Sequence, residues 1–420
     1  MKNLVVIALV YSIMAGAGLA QDSSGVRQVG RIYNNEWRLV EAVTVVGRYA
    51  YIATGESGLS IIDISDPSDP RETGFYDTPG YAFDVAVKGN YVFVADYDFG
   101  LRIVDVSDSE NPREVGFHDT PGYASGVVVE GNYAFVADLI GGLRTVDISN
   151  PTNPSEVGCC DTLGFARDIA ISGNYAFVTD VNYNAGLRIV EVSDPANPRE
   201  VGFCGTPGYA YGVAVAGDYA FLVVQYAGLR VLDVSDQTHP QEVGYFDTPG
   251  YAYGVVTAGN CAFIADYDAG LRVVDVSDPA DPSEVGYYIT PGWAKGVNIA
   301  ENGLVFVADY TNLGIYDCSE AMGVSSDFTL HPSAFILHTP FPNPFNSVSV
   351  ASYELRVASK VNLSLYNVQG RRVRILSEGW QTAGEHRVLV NTPNLAAGEY
   401  IVALTDGTGR KAARKMVLVK

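Results

Sequence analysis

GLSIIDISDPSDP, residues 58–70, returns as GLRIVDVSDSENP at Gly100, GLRTVDISNPTNP at Gly142, GLRIVEVSDPANP at Gly186, GLRVLDVSDQTHP at Gly228 and GLRVVDVSDPADP at Gly270. A degraded seventh copy, NLGIYDCS, begins at Asn312, and the successive offsets are 42, 42, 44, 42, 42 and 42 residues. Self-similarity at one fixed period marks a supersecondary unit that cannot bury its apolar surface alone and stacks on its neighbours.

Within one period the text divides into four short β segments. In the sixth unit they are EVGYFDT, YGVVTAG, CAFIADY and LRVVDVS, rich in β-branched and aromatic residues and bounded by Gly, Pro, Asp or Asn. The second and third segments are joined by Gly89-Asn90, Gly131-Asn132, Gly173-Asn174, Gly217-Asp218 or Gly259-Asn260. That pairing suits a type II′ hairpin, with Gly taking the positive φ. Four antiparallel strands in about 42 residues is the measure of a propeller blade. Seven copies predict an all-β, seven-bladed β-propeller over residues 26–319, with the second segment innermost in each blade. Segments of EVG type start at Glu72, Glu114, Glu156, Glu200, Glu242 and Glu284, and none follows the seventh copy. VRQVGRI, Val26 to Ile32, is expected to supply it from the N-terminal side, which closes the ring and removes open edges.

Phrases such as GLRIVDVSDP and LRVVDVSDPADP resemble the LVIVD repeat of secreted and surface bacterial proteins. The resemblance covers about residues 26–319. It implies a β-propeller and export, and it implies no particular chemistry.

The chain has 420 residues and a net charge of −21, so nucleic acid is not an expected partner. Apolar residues make up 47%, with 44 Gly and 27 Tyr, which excludes a disordered chain. Residues 1–20 carry Lys2, an apolar run from Leu4, and small residues at Gly18 and Ala20, and read as a removable signal peptide. No later run is long enough for a transmembrane span. Five cysteines, Cys159, Cys160, Cys204, Cys261 and Cys318, replace apolar or aromatic repeat residues without CxxC spacing, and are expected to be buried free thiols.

Beyond Ser319 the period stops. Residues 320–334 read as a linker and 335–420 as a small β-sandwich built from the runs SVSVASYEL, KVNLSLYN, RRVRILS, EHRVLVN, EYIVALT and RKMVLVK. Residues 327–420 hold 11 Lys+Arg against 6 Asp+Glu, net +5, leaving −26 on the rest, a step that marks a domain boundary. FPNPFN at Phe341–Asn346, LYNVQGRRV at Leu365–Val373, LAAGEYIVAL at Leu395–Leu404 and KMVLVK at Lys415–Lys420 resemble the C-terminal sorting domain of the type IX secretion system and the overlapping flagellar-hook-cap-like Ig module. The residues that carry the motif are Pro342, Asn343, Pro344, Gly370, Gly398, Tyr400 and Lys415. The resemblance implies delivery through the periplasm of a Gram-negative bacterium to the cell surface or medium, with outer-membrane secretion machinery as partner. An Ig-like spacer is the alternative.

No catalytic constellation stands out. His118, His239, His331, His338 and His386 pair at no metal-ligand spacing, and no GxSxG elbow or P-loop occurs. Two carboxylate sets recur, Asp63, Asp105, Asp147, Glu191, Asp233, Asp275 and Asp317 in the fourth segment, and Asp96, Asp138, Asp180, Asp266 and Asp309 ending the third. A glycosidase or lyase could draw a pair from them, and a calcium site could use DYD at Asp96–Asp98 or Asp266–Asp268. A residue present in nearly every blade more often caps a turn, so neither a cofactor nor a metal is expected. The loop TPGYA places Tyr81, Tyr123, Phe165, Tyr209, Tyr251 and Trp293 in register, with Trp37 shifted by two in the first unit. Two residues later stand Phe83, Ser125, Arg167, Tyr211, Tyr253 and Lys295. These loops should gather at one mouth of the central channel. Tyr81, Tyr123, Phe165, Arg167, Tyr209, Tyr211, Tyr251, Tyr253, Trp293 and Lys295 are thus the candidate face for an extracellular glycan or protein.

Overall fold

The computed structural model describes residues 23–37, 39–162, 164–323, 335–337, 348–355, 359–367, 371–382, 384–391, 395, 397–406 and 411–418. Strands and turns account for the regular structure of these residues, and no helix among them is long and apolar enough to cross a membrane. Residues 1–328 and 329–420 form separate compact units.

The first unit holds seven antiparallel sheets in meander order. Blade 2 is typical: Asp84–Lys88, Tyr91–Ala95, Leu101–Asp105 and Arg113–His118, from the axis outward. The innermost strands, Ala42–Val46, Asp84–Lys88, Gly126–Glu130, Ala166–Ser172, Ala210–Ala216, Gly254–Ala258 and Ala294–Ile299, touch one another in that order, and the last touches the first. The second strands are almost wholly buried, because each sheet carries a neighbour on both faces; Val92, Phe93, Val94 and Ala95 all lie in the core. Gly47, Gly89, Gly131, Gly173, Gly217 and Gly259 take the positive φ expected of the hairpin turns, and the residues after them do not.

The EVG segment is the outermost strand of one blade, and TPGYA crosses from it to the innermost strand of the next. Its glycine permits a close approach. A Cβ on Gly74 would stand 2.2 Å from the Ser109 carbonyl oxygen in the Asp-Pro turn region of the following blade. Gly30 stands in the same relation, 1.9 Å, to the carbonyl of Pro67 in blade 1. Gly30 belongs to Arg27–Tyr33, the N-terminal strand, which pairs with Asn312–Asp317 from Arg27↔Asp317 to Tyr33↔Asn312 and completes blade 7 as expected. Ser23–Ser24 adds to the outer edge of blade 6.

The carboxylates of the repeat's fourth segment, which is the third strand of each blade, end their strands as turn caps: Ser65, Ser107, Ser149, Ser235, Ser277 and Ser319 each donate a backbone N–H to the Asp two residues earlier. All five cysteines are free; Cys261 and Cys318 are buried, while Cys160 and Cys204 are only half-buried. Cys159 departs from the expectation of buried thiols. It lies on the outermost strand of blade 3, whose outward positions face solvent, and is exposed.

In the second unit, Phe335–Leu337, Val348–Leu355 and Gly384–Asn391 form one sheet, and Ser359–Asn367, Arg372–Gln381, Gly398–Asp406 and Lys411–Leu418 the other. Tyr353 and Val390 from the first sheet share a core with Leu363, Leu365, Val402, Leu404 and Met416 from the second, a two-layer sandwich. Tyr400 is buried in it, Lys415 pairs with Glu399 at 2.6 Å on its surface, and Gly398 opens the strand that carries Glu399 and Tyr400. Met1–Ala20, most of the linker, Pro342, Asn343, Pro344 and Gly370 lie outside the described residues.

Candidate binding face at the channel mouth

The recurring Asp that follows the second strand builds the mouth. Asp96 is fully buried and accepts from Thr78 Oγ1 at 2.6 Å and from the Gly80 N–H at 2.9 Å, so it pins the TPG turn arriving from the preceding blade. Asp138, Asp266 and Asp309 repeat this with Thr120 and Gly122, Thr248 and Gly250, and Thr290 and Gly292. Asp180 holds the Phe165 N–H instead. Burial pushes Asp96 and Asp266 up to about 6, against the pull of these hydrogen bonds. Their oxygens are engaged by the turn that they pin. Among the described residues no three His, Cys, Asp or Glu side chains converge as a metal site.

The residue after this Asp carries information that the sequence reading missed. Tyr97, Leu139, Tyr267 and Tyr310 have φ of 45, 39, 48 and 59°. Tyr97 exchanges two backbone hydrogen bonds with Ala124 of the next blade, and Tyr267 does so with Ala294. These bridges between blades hold the left-handed backbone. Blade 1 meets the same need with Gly55, paired to Ala82 at φ 58°. A left-handed Tyr costs of order 1 kcal/mol or more relative to such a glycine, and blade 3 bears the same cost with Leu139.

These tyrosines interleave with the expected ring. Tyr97 stacks on Tyr123 at 4.7 Å and 19°, and Tyr267 on Trp293 at 5.1 Å and 12°. Tyr310 meets Trp293 edge-on, Tyr226 meets Tyr251, and Tyr183 meets Tyr209. Tyr123, Phe165, Tyr251 and Trp293 remain 36 to 42% exposed, and Tyr183 and Tyr226 exceed 60%. The central tyrosine of the DYD sequences is the residue that joins the rim.

Inside this rim the variable positions come together. Tyr81 lies 4.8 Å from Phe83, Phe83 lies 5.1 Å from Tyr97, and Tyr211 lies 4.7 Å from Tyr253, which lies 5.3 Å from Tyr267. Arg167 stands 4.8 Å from the Phe83 centroid and 5.9 Å from that of Tyr211, and its Nη1 donates to the Ser125 carbonyl. Lys295 is paired to Glu41 at 2.7 and 2.9 Å, and the Tyr81 hydroxyl donates to the same carboxylate. Glu41 is blade 1's member of this inner ring, 42 residues before Phe83. Trp37 is not a rim residue: it is buried and donates Nε1 to Glu72.

Below the inner ring, Asp84 and Asp168 stand where blades 3, 5, 6 and 7 carry Gly126, Gly212, Gly254 and Gly296. Each carboxylate accepts two backbone N–H groups, Asp84 from Val85 and Val127 and Asp168 from Ile169 and Val213, and so joins one innermost strand to the next. Burial, then the charge of Asp168, pushes Asp84 up to about 7, and burial raises Asp168.

The family model for the LVIVD repeat matches residues 38–78, 79–120, 121–162, 163–206, 207–248 and 249–290, one blade each, and the model for the secretion system C-terminal sorting domain matches residues 339–420. No curated protein matches the chain. Among solved structures, the chain is similar to the computationally designed Ika8 protein, with 9% identity, a TM-score of 0.52 and coverage of 93% of this chain and 99% of that one. It is also similar to PorZ, a surface component of the type-IX secretion system of Porphyromonas gingivalis, with 13% identity, a TM-score of 0.52 and coverage of 91% of this chain and 60% of that one. A streptogramin B lyase aligns over 70% of this chain and 97% of its own, with 12% identity and a TM-score of 0.55. At such identities the likeness concerns the fold.

Proposed function

The chain belongs to the LVIVD-repeat proteins and ends in a secretion-system sorting domain, and from that premise we propose that it is an exported recognition protein whose propeller binds an extracellular glycan at one channel mouth. Delivery runs through the periplasm of a Gram-negative cell, with the outer-membrane secretion machinery as the partner of the tail. The observation that carries the binding assignment is the set of strained tyrosines. Tyr97, Tyr267 and Tyr310 occupy a left-handed position that Gly55 fills without penalty, and two of them stack flat against a rim aromatic. Exposed flat rings bordered by polar groups suit the apolar faces and hydroxyls of sugars. The test is binding of the full chain to a glycan array. The triple substitution Tyr209→Ala, Tyr251→Ala and Trp293→Ala is expected to abolish the signal with the melting temperature preserved, and unchanged binding would discard the mouth.

A carbohydrate-active enzyme is the second reading, and it now rests on Asp84 and Asp168, two interacting carboxylates of raised pKa beneath the mouth. Glycan turnover that disappears in Asp84→Asn would establish it. Undegraded polysaccharide pools would remove it.

A further inference from the structure

We infer that the mouth selects an otherwise neutral glycan chain carrying one carboxylate sugar, a uronate residue, and that Arg167 receives its carboxylate. The inference deepens the glycan-binding reading above and rests on it.

Arg167 differs from the propeller's other inward arginines. Arg102, Arg144, Arg188, Arg230 and Arg272, one on the third strand of each of blades 2 to 6, each have carboxylates within 4 Å. Arg167 has no ion-pair partner within that distance among the described residues. Its neighbours are the rings of Phe83 and Tyr211 and the carbonyl of Ser125, which takes Nη1. Lys295, the other cation of the inner ring, is already neutralised by Glu41. Asp84 and Asp168 feel the charge of Arg167 but lie beyond ion-pair distance of it, and their oxygens are engaged by backbone N–H groups of the innermost strands.

A guanidinium framed by aromatic faces presents a planar fork, and a planar carboxylate satisfies it with two parallel hydrogen bonds. Flanking sugar rings then lie over the aromatic surface that runs from Arg167 in both directions, to Tyr97 and Tyr123 through Phe83 and to Trp293 through Tyr253 and Tyr267. The count of one carboxylate follows from charge. Residues 1–326 carry −26, which repels a polyanion as a whole, while one cation without an ion pair among the described residues accommodates one anion.

The experiment is calorimetric titration of the full chain with oligosaccharides bearing one uronate on xylose, glucose or galactose backbones. The comparison ligands are the carboxyl-reduced counterpart of each, a polygalacturonate and a sulfated galactan. The expected result is at least tenfold tighter binding of a one-uronate ligand than of its reduced counterpart, weakened severalfold between 50 and 500 mM NaCl. That preference should fall to less than twofold in Arg167→Gln and be partly kept in Arg167→Lys. The salt series on the unsubstituted chain reads the same contact if Arg167→Gln does not fold. Equal binding of the uronate and reduced forms, lost in Trp293→Ala, overturns the carboxylate assignment and leaves the mouth standing. Preference for the polyuronate or the sulfated galactan also overturns it. Failure of every sugar to bind overturns both readings.

Discussion

Gln225 Nε2 donates to the Tyr253 hydroxyl at 3.1 Å, from the position at which blades 2 and 6 carry the left-handed Tyr97 and Tyr267. Blade 5 has lost more than a tyrosine there. Val224 stands where its neighbours have the buried Asp, and Thr206, whose counterparts donate to that Asp, is buried with its hydroxyl unpartnered among the described residues. The same substitution should therefore act with opposite sign in adjacent blades. Thr206→Val removes a desolvated hydroxyl and is expected to stabilise the propeller by about 1 kcal/mol, while Thr248→Val strips a donor from Asp266 and should cost about 1–3 kcal/mol. Urea denaturation of the two variants checks this.

The left-handed tyrosines allow binding to be separated from folding. Tyr267→Gly relieves the backbone at φ 48° but removes the stack on Trp293. The two effects are each of order 1 kcal/mol and oppose one another. Stability should thus stay within about 1 kcal/mol of the parent, while glycan binding falls at least tenfold. Chemical denaturation and calorimetry measure the two halves.

Glycine substitutions should divide by location. Gly202→Ala places a Cβ 1.9 Å from the Gln237 carbonyl oxygen of the next blade, so the blades must part, at a cost of about 3 kcal/mol or more. Gly131→Ala meets nothing within 4 Å in its hairpin and bears only the φ of 53°, about 1 kcal/mol. Thermal melting of the two variants should rank them in that order.

The repeat made the blades legible because strand, turn and close-approach glycine recur at one spacing, and even the closing strand was visible as the EVG text missing after Asp317 and present at Val26. The mouth was only half legible. TPGYA announced its aromatics by register, but Tyr97 and Tyr267 lie inside DYD, where two flanking carboxylates suggest metal chemistry and nothing in the string shows a positive φ. Glu41 was hidden because blade 1 lacks TPGYA. Counting 42 residues back from Phe83, as the Gly47 and Gly89 hairpins allow, would have found it. Asp84 and Asp168 were passed over since they recur in no other blade, although a carboxylate in place of glycine on an innermost strand is itself a signal.

Stability should pass through a maximum near pH 5. Asp84 is raised to about 7 and Asp96 and Asp266 to about 6 in the folded state, against about 3.9 in an unfolded chain. The folded protein therefore holds more protons than the unfolded one between about pH 4 and 7. The contribution of these groups is fully present below pH 4 and is lost as pH rises through the folded values. The capping carboxylates have the opposite sign. Asp105 and Asp147 are lowered by hydrogen bonds from Ser107 and Ser149, and Asp63 is lowered by its bonds to Ser65 and Arg48 although burial opposes them. Their stabilisation is present above about pH 4 and is lost as pH falls toward the lowered folded values. Melting temperature should accordingly decline from pH 5 to pH 7.5 and from pH 5 to pH 3. In Asp84→Asn, which fixes the neutral form at the group of highest value, the decline toward pH 7.5 should be visibly shallower while the acid limb is unchanged. An alkaline limb identical to the parent's would mean that Asp84 is ionised in the folded channel at pH 5, and would remove it from the carboxylate pair on which the enzymatic reading depends.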